Sequence, residues 1–278
     1  MSDDPIFSTG RVAVITGAAS GIGLAAANHC AAAGMTVVMA DISDGLDAAA
    51  AEVAAIGGVA EHHALDVSDF AAVQALAQDV FARHGEVALL MNNAGTSFRS
   101  QPFDGLDAWR KTLEVNLWGI VHGVQAFTQP MLDQGRPGRI VNTGSKQGIT
   151  NPPGDLAYNV SKSAVKTLTE GLQHALRNIE GGQVTAHLLI PGFTYTGLIR
   201  RFAAEKPAGA WTPEQVVEAM VAALAAGDFY ILCPDNETTP EMDAKRVRWG
   251  AEDLAGNRPP LSRWHPDFAE AFADWMRG

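Results

Sequence analysis

The chain has little cysteine: Cys30 and Cys233 are the only two in 278 residues, far apart and without ligand-spaced neighbours. That usage indicates neither a disulfide framework nor a zinc site, and both thiols read as buried apolar side chains. A long hydrophobic run is lacking, so nothing is set to span a bilayer. Met1 to Gly10 carries acidic residues where a signal peptide has a basic start and an apolar core. Positive charge is short as well. Twenty Lys and Arg against 31 Asp and Glu leave a formal charge of −11, which disfavours nucleic acid and anionic membranes as partners, because both need a basic face. The eight histidines are scattered without ligand spacing, so no metal is expected. Internal repeats and low-complexity segments are missing too. These absences imply a soluble, cytoplasmic chain whose partners are small molecules, and 47% hydrophobic content suffices for the core of one large α/β domain.

What is present begins with a strand, Arg11-Val-Ala-Val-Ile-Thr16, followed at once by Gly17-Ala-Ala-Ser20-Gly21-Ile22-Gly23 and an Ala-rich helical pattern to Ala33. Gly17 permits a tight turn, Gly21 lets the backbone approach a phosphate, and Gly23 lets the helix pack close to the strand. Free amides at such a helix start attract a diphosphate. A second strand, Met35 to Ala40, ends on Asp41, placed to accept hydrogen bonds from ribose hydroxyls and to repel a 2′-phosphate. No Arg or Lys occurs from Val12 to Glu61, which favours NAD over NADP. Capping of the following helix suits Ser43 or Asp44 better than Asp41.

A helix over Leu46–Ile56, a strand over Val59–Leu65 leading into Asp66-Val67, and a helix capped by Ser68 and running to Arg83 come next. Val87 to Met91 reads as a buried parallel-type strand, and it runs into Asn92-Asn93-Ala94-Gly95, whose small residues let a cofactor lie against the backbone. A helical stretch from Leu106 to Leu132 carries Asn116 among apolar neighbours, where a buried amide must find partners. Strand Arg139–Thr143 ends at Gly144-Ser145, thirteen residues before Tyr158. Tyr158 and Lys162 are four residues apart, so they share a helix face. A lysine charge beside the phenol favours the phenolate and makes a general acid/base usable near neutral pH. Strand Val184–Ile190 closes on Pro191-Gly192, Thr212-Pro213 opens a helix that ends at Gly227, and Phe229–Cys233 is a seventh strand. Strands alternating with helices in this way predict a doubly wound, Rossmann-like parallel sheet of seven strands. Residues 1–234 read as one domain, with a lid over about 196–212, and 235–278 as a Trp-bearing extension packed on that domain or on a neighbouring subunit.

The glycine turn, Asn92-Asn93-Ala94-Gly95, Asn116, Ser145, Tyr158-x-x-x-Lys162 and Pro191-Gly192-Phe-Thr-Tyr-Thr196, in this order, resemble the short-chain dehydrogenase/reductase family in its single-domain form. The resemblance implies that Tyr158 is the catalytic acid/base, that Lys162 lowers its pKa and binds the nicotinamide ribose, that Ser145 orients the substrate oxygen, and that Asn116 holds a proton-relaying water. It implies a cofactor site of Gly17, Ser20, Gly21, Ile22, Gly23, Asp41, Asp66, Val67, Asn93, Ala94, Gly95, Tyr158, Lys162, Pro191, Gly192, Thr194 and Thr196. It also implies a homotetramer or homodimer paired through Leu106–Leu132 and Tyr158–Leu176. Gly144 stands where the family often has a second serine, and Lys146 with Gln147 makes that wall more polar. Ser145, Gln147, Tyr158 and Phe193 are the candidate substrate contacts. Phe98, Arg99, Ile149, Pro152, Tyr195, Leu198 and Ile199 are further candidates around the pocket, a mainly apolar set that hints at an apolar or aryl alcohol. Lys146, Arg99 and Arg200 are candidates to receive a substrate carboxylate. Two functions stay open on the sequence: an NAD-dependent interconversion of a secondary alcohol and a ketone, or a catalytically idle NAD-binding module that senses redox state or acts through protein contacts.

Overall fold

Nearly continuous burial marks five of the strands, as expected of a parallel sheet covered on both faces. The computed structural model describes residues 4–200 and 203–278; residues 1–3, and Arg201 and Phe202 within the expected lid, lie outside the described residues. Strands β1 (Val12–Thr16), β2 (Thr36–Asp41), β3 (Val59–Ala64), β4 (Leu89–Asn92), β5 (Gly138–Thr143), β6 (Val184–Ile190) and β7 (Tyr230–Leu232) form one sheet in the order β3-β2-β1-β4-β5-β6-β7. Every pairing is parallel. This is the expected doubly wound architecture, and its strand order reverses between β1 and β4, where such sheets open a crevice at their carboxyl ends.

The crossovers are α1 (Gly21–Ala32), α2 (Leu46–Ile56), α3 (Phe70–His84), α4 (Leu106–Leu113), α5 (Gly119–Asp133), α6 (Gln147–Thr150), α7 (Leu156–Leu176), α8 (Gly197–Arg200) and α9 (Pro213–Ala226). Alternation along each strand divides the core. Ala13, Ile15, Val37, Met39, Leu89 and Met91 pack with residues of α1, α2 and α9. Val12, Val14, Val38, Leu90 and Ile140 pack with residues of α3, α5 and α7. Thr212 caps α9 in a reciprocal capping box with Gln215, and Gly227 ends it at φ +78°.

Three local expectations are corrected. Asp69, not Ser68, caps α3, accepting from the amides of Ala71 and Ala72; Ser68 instead donates to Asp66. The helix that opens at Leu46 has Gly45 as N-cap and no side-chain cap; Ser43 Oγ accepts from the Gly45 amide instead. The stretch from Leu106 to Leu132 is not one α-helix: a π-helical turn, Glu114–Trp118, separates α4 from α5.

Beyond β7 the chain forms α10 (Pro240–Ala255) and α11 (Ala269–Arg277). Trp249 is buried; its indole donates to Ser262 Oγ at 2.7 Å, Phe272 meets it edge-on, and the Arg258 guanidinium lies 4.3 Å above the ring. Helix α10 packs on α6, directly behind the turn that follows β5. Among the described residues no helix is long and apolar enough to cross a membrane.

Candidate active site

The carboxyl ends of β1, β4 and β5 are tied together by one asparagine. Asn93 donates from its backbone to Thr16 Oγ1 at 2.9 Å, from Nδ2 to the Thr16 carbonyl at 3.1 Å, and accepts from the Thr143 hydroxyl at 3.2 Å. Ala94 N also donates to Thr16 Oγ1. The glycine turn sits against this knot so closely that side chains do not fit. A Cβ on Gly17, at φ +67°, would lie 2.8 Å from Ala94 Cα, and one on Gly23 would lie 2.1 Å from the Gly17 carbonyl oxygen. Gly21, at φ +56°, faces Thr196, whose Cγ2 a Cβ would meet at 3.2 Å. The segment after β6 therefore lies over the turn.

Ser20 is the N-cap of α1 but makes no side-chain cap bond, and no acidic residue occupies the first turn. Amides at a helix start with no carboxylate of their own fit a diphosphate. At the end of β2, Asp41 accepts from the Ala19 amide through Oδ2 and from the Ser43 amide through Oδ1, both at 2.9 Å. Its carboxylate is thus fixed beside the turn. Asp66 is exposed and bonded to Ser68, while Val67 is buried with its carbonyl 2.8 Å from His122 Nδ1. These residues fit a dinucleotide, with the turn for its diphosphate and Asp41 for its adenosine ribose.

Tyr158 lies in the first turn of α7, whose N-cap is Asp155; the Asp155 carboxylate accepts from the Tyr158 amide and from the hydroxyls of Ser97 and Ser100. One turn on, Lys162 is buried, and its Nζ donates to the Thr143 carbonyl at 2.8 Å while standing 5.7 Å from the Tyr158 ring centroid. Ser145, two residues past Thr143, accepts from the Gln147 amide through Oγ at 3.2 Å and lies near enough to the phenol to favour its ionised form. Burial pulls the Lys162 pKa down to about 8. The Tyr158 phenol moves opposite to the expectation: burial pushes its pKa up, nearby Ser145 opposes this, and the Asp155 charge adds to it. Removing the phenolate from water outweighs a lysine whose ammonium is turned onto a carbonyl.

Asn116 occupies the π-turn. Its Oδ1 accepts from the Thr96 amide at 2.7 Å, and its Nδ2 donates to the Thr96 carbonyl at 2.9 Å and to Ser161 Oγ at 3.2 Å. A π-turn re-spaces the backbone ladder, a feature common at functional sites. Gly95 is the meeting point: a Cβ there would lie 3.5 Å from Asn116 Oδ1 and 3.8 Å from Lys162 Nζ. Sequence-distant residues 116, 145, 158 and 162 are thus gathered at one end of the sheet.

A model of the short chain dehydrogenase family matches residues 11–207, most of the chain and all of the elements just described. The chain belongs to the short-chain dehydrogenase family. A 1-deoxy-11-beta-hydroxypentalenate dehydrogenase of Streptomyces avermitilis is 36% identical over 229 residues, covering 79% of this chain and 83% of its own. The structure of a short-chain dehydrogenase/reductase from Burkholderia phymatum in complex with NAD is also 36% identical, with a TM-score of 0.82 over 91% of this chain and 96% of that one. A metagenomic short-chain oxidoreductase in complex with NADP is 31% identical, with a TM-score of 0.69 over 82% of this chain and 98% of its own. Family membership makes the chain an oxidoreductase of the short-chain dehydrogenase type; these two solved neighbours are bound to NAD in one case and NADP in the other.

In this short-chain dehydrogenase the remaining candidates are less uniformly placed. Gln147 and Phe193 are exposed, Thr194 is buried with its hydroxyl donating to the Gly192 carbonyl, and Pro191 is buried. Lys146 is removed from the possible carboxylate receivers, since its ammonium is paired 2.6 Å from Asp243. Arg200 stacks over Tyr195. Two residues central to the geometry were missed. Asp155 had a readable signal, an acidic residue directly before a helical run; the Thr143 carbonyl had none, because a backbone acceptor carries no residue code.

Proposed function

We propose that the chain is an NAD-dependent dehydrogenase that interconverts a secondary alcohol and its ketone, with Tyr158 as acid/base, Lys162 and Ser145 as its partners and Asn116 in the proton path. The observation that carries this reading is the buried Lys162, its Nζ held at 2.8 Å by the carbonyl of Thr143, two residues before Ser145, and standing 5.7 Å from the Tyr158 ring centroid. In the oxidising direction Tyr158 Oη takes the alcohol proton while the carbinol carbon gives up its hydrogen as hydride. Ser145 Oγ donates to the substrate oxygen and holds it against the phenol. When bound, the nicotinamide supplies the hydride acceptor, or in reverse the donor. NAD rather than NADP is supported by the Asp41 carboxylate and by the absence of Arg and Lys from Val12 to Glu61.

The substrate in this reading has an apolar, alicyclic or aryl skeleton. Exposed Phe98 and Phe193 favour it, as does the hydroxypentalenate named for the Streptomyces relative. Residues about 196–212 serve as lid; the ends of that segment are joined by Tyr195 N to the Trp211 carbonyl and Trp211 N to the Phe193 carbonyl. Subunits pair through α4–α5 and α7. NADH formation with a panel of secondary alcohols tests the proposal: Tyr158→Phe is expected to lower kcat by roughly 10²–10⁴-fold with NADH affinity retained. NADH binding without turnover on any alcohol would instead support the idle module.

A further inference from the structure

Lys146 follows Ser145 directly, yet its side chain turns inward rather than toward substrate. Nζ lies 2.6 Å from Asp243 Oδ2 and 3.3 Å from Asp235 Oδ2, with the three side chains 13%, 2% and 13% exposed. Both carboxylates come from the chain beyond β7, and Asp243 is on α10. Arg246, one turn on, brings its guanidinium 3.6 Å from Asp243 Oδ1 and donates to Thr238 Oγ1. Two cations thus face two anions. Cys233 and Arg263 also feel these charges.

The cluster also grips the loop after β6. The Lys146 amide donates to the Pro191 carbonyl at 3.1 Å, and the Phe193 backbone helps keep the Asp235 carboxyl ionised. Between them Gly192 passes so close that a Cβ would lie 2.8 Å from Asp235 Oδ2 and 3.1 Å from Lys146 Nζ. A buried ion pair is a weak source of stability compared with an apolar substitute, but its directionality fixes the parts that carry it. Those parts are the turn bearing Ser145 and the loop of Pro191, Gly192, Phe193 and Thr194, two walls of one site.

We propose that Lys146 is a positioning residue, through which Asp235 and Asp243 of the C-terminal extension hold Ser145 and the 191–194 loop in register. The inference rests on the dehydrogenase reading above. Loosening Lys146 lets Ser145 drift from the Tyr158 phenol, and the phenolate loses a neighbour that favours it. Catalysis weakens, and the pH at which the base becomes competent rises.

The test uses the full chain as wild type, Lys146→Met, Lys146→Arg and Asp243→Asn, with kcat, KM, NADH affinity and the pH profile of alcohol oxidation measured for each. Lys146→Met is expected to lower kcat by roughly tenfold to a hundredfold and to raise the midpoint of the kcat/KM profile by about one unit, with KM and NADH affinity moving less. Lys146→Arg should restore both toward wild type, and Asp243→Asn should shift both in the same direction by less. A folded Lys146→Met with wild-type kcat and midpoint overturns the proposal. So does equal loss in the Met and Arg variants with an unmoved midpoint, the signature of a merely structural residue. If Lys146→Met does not fold, Asp243→Asn decides on the same two readouts. If wild type oxidises no alcohol, the dehydrogenase reading fails separately, and amide hydrogen exchange takes over: faster exchange at 145–149 and 191–194 in the variants supports the positioning role, and unchanged exchange overturns it.

Discussion

Lys162 is charged at the expense of the fold. Burial lowers its pKa from 10.5 to about 8, so the unfolded chain binds its proton more tightly than the folded one between those values. Below pH 8 both states hold the proton and the folded state bears the whole desolvation cost; as pH rises from 8 toward 10.5 the folded lysine discharges first and stability increases. The size of that term is on the order of 3 kcal/mol. Denaturant midpoints at pH 7.5 and 9.5 are expected to show a gain in wild type that Lys162→Met lacks; an identical pH response in the two proteins would refute it. Four-residue spacing was enough to pair Tyr158 with Lys162, but it carried no information on where the ammonium points. The Thr143 carbonyl, brought in by β5, decides that.

At the scale of elements, the π-turn Glu114–Trp118 and the knot at the sheet's carboxyl edge both depend on asparagines. Asn116→Ala would strip the Thr96 amide and carbonyl of their partners, for a destabilisation of about 1–3 kcal/mol per group left unsatisfied in the interior. Equilibrium unfolding should show that loss, together with weaker NADH binding through the displaced Gly95; a variant as stable as wild type counts against it. The end of β2 gives a second prediction. Ile42 is 74% exposed beside Asp41, so Asp41→Ser with Ile42→Arg is expected to exchange a carboxylate that repels a 2′-phosphate for a guanidinium that pairs with it. The ratio of kcat/KM for NADP to that for NAD should rise at least tenfold, about 1.4 kcal/mol in differential binding, and an unchanged ratio would show that Asp41 does not set the preference. Asn116 was legible as a buried amide, whereas the π-turn around it was not, since helical periodicity is the same on either side of the insertion.

For the whole molecule, large apolar side chains stay on the surface around α4: Phe103, just before it, is fully exposed, Leu106 at its start is 62% exposed, and Trp118, at the end of the π-turn, is 53% exposed. A face of this kind is covered by another chain more often than by water. Light scattering is expected to give a multiple of 29.3 kDa, and Leu106→Lys with Trp118→Lys to give a smaller species with unchanged circular dichroism; a wild type that is already monomeric would sink this. The strand runs, the glycine turn, the Thr212-Pro213 helix start and the Tyr158–Lys162 pair were all written in local spacing, because periodicity, steric demand at φ > 0 and capping act within a few residues. The strand order that closes the crevice, the raised phenol of Tyr158 and the inward turn of Lys146 were settled only by tertiary structure. Desolvation and charge pairing depend on neighbours that come from far along the chain, as residues 235 and 243 do for residue 146, and no short window of sequence contains them.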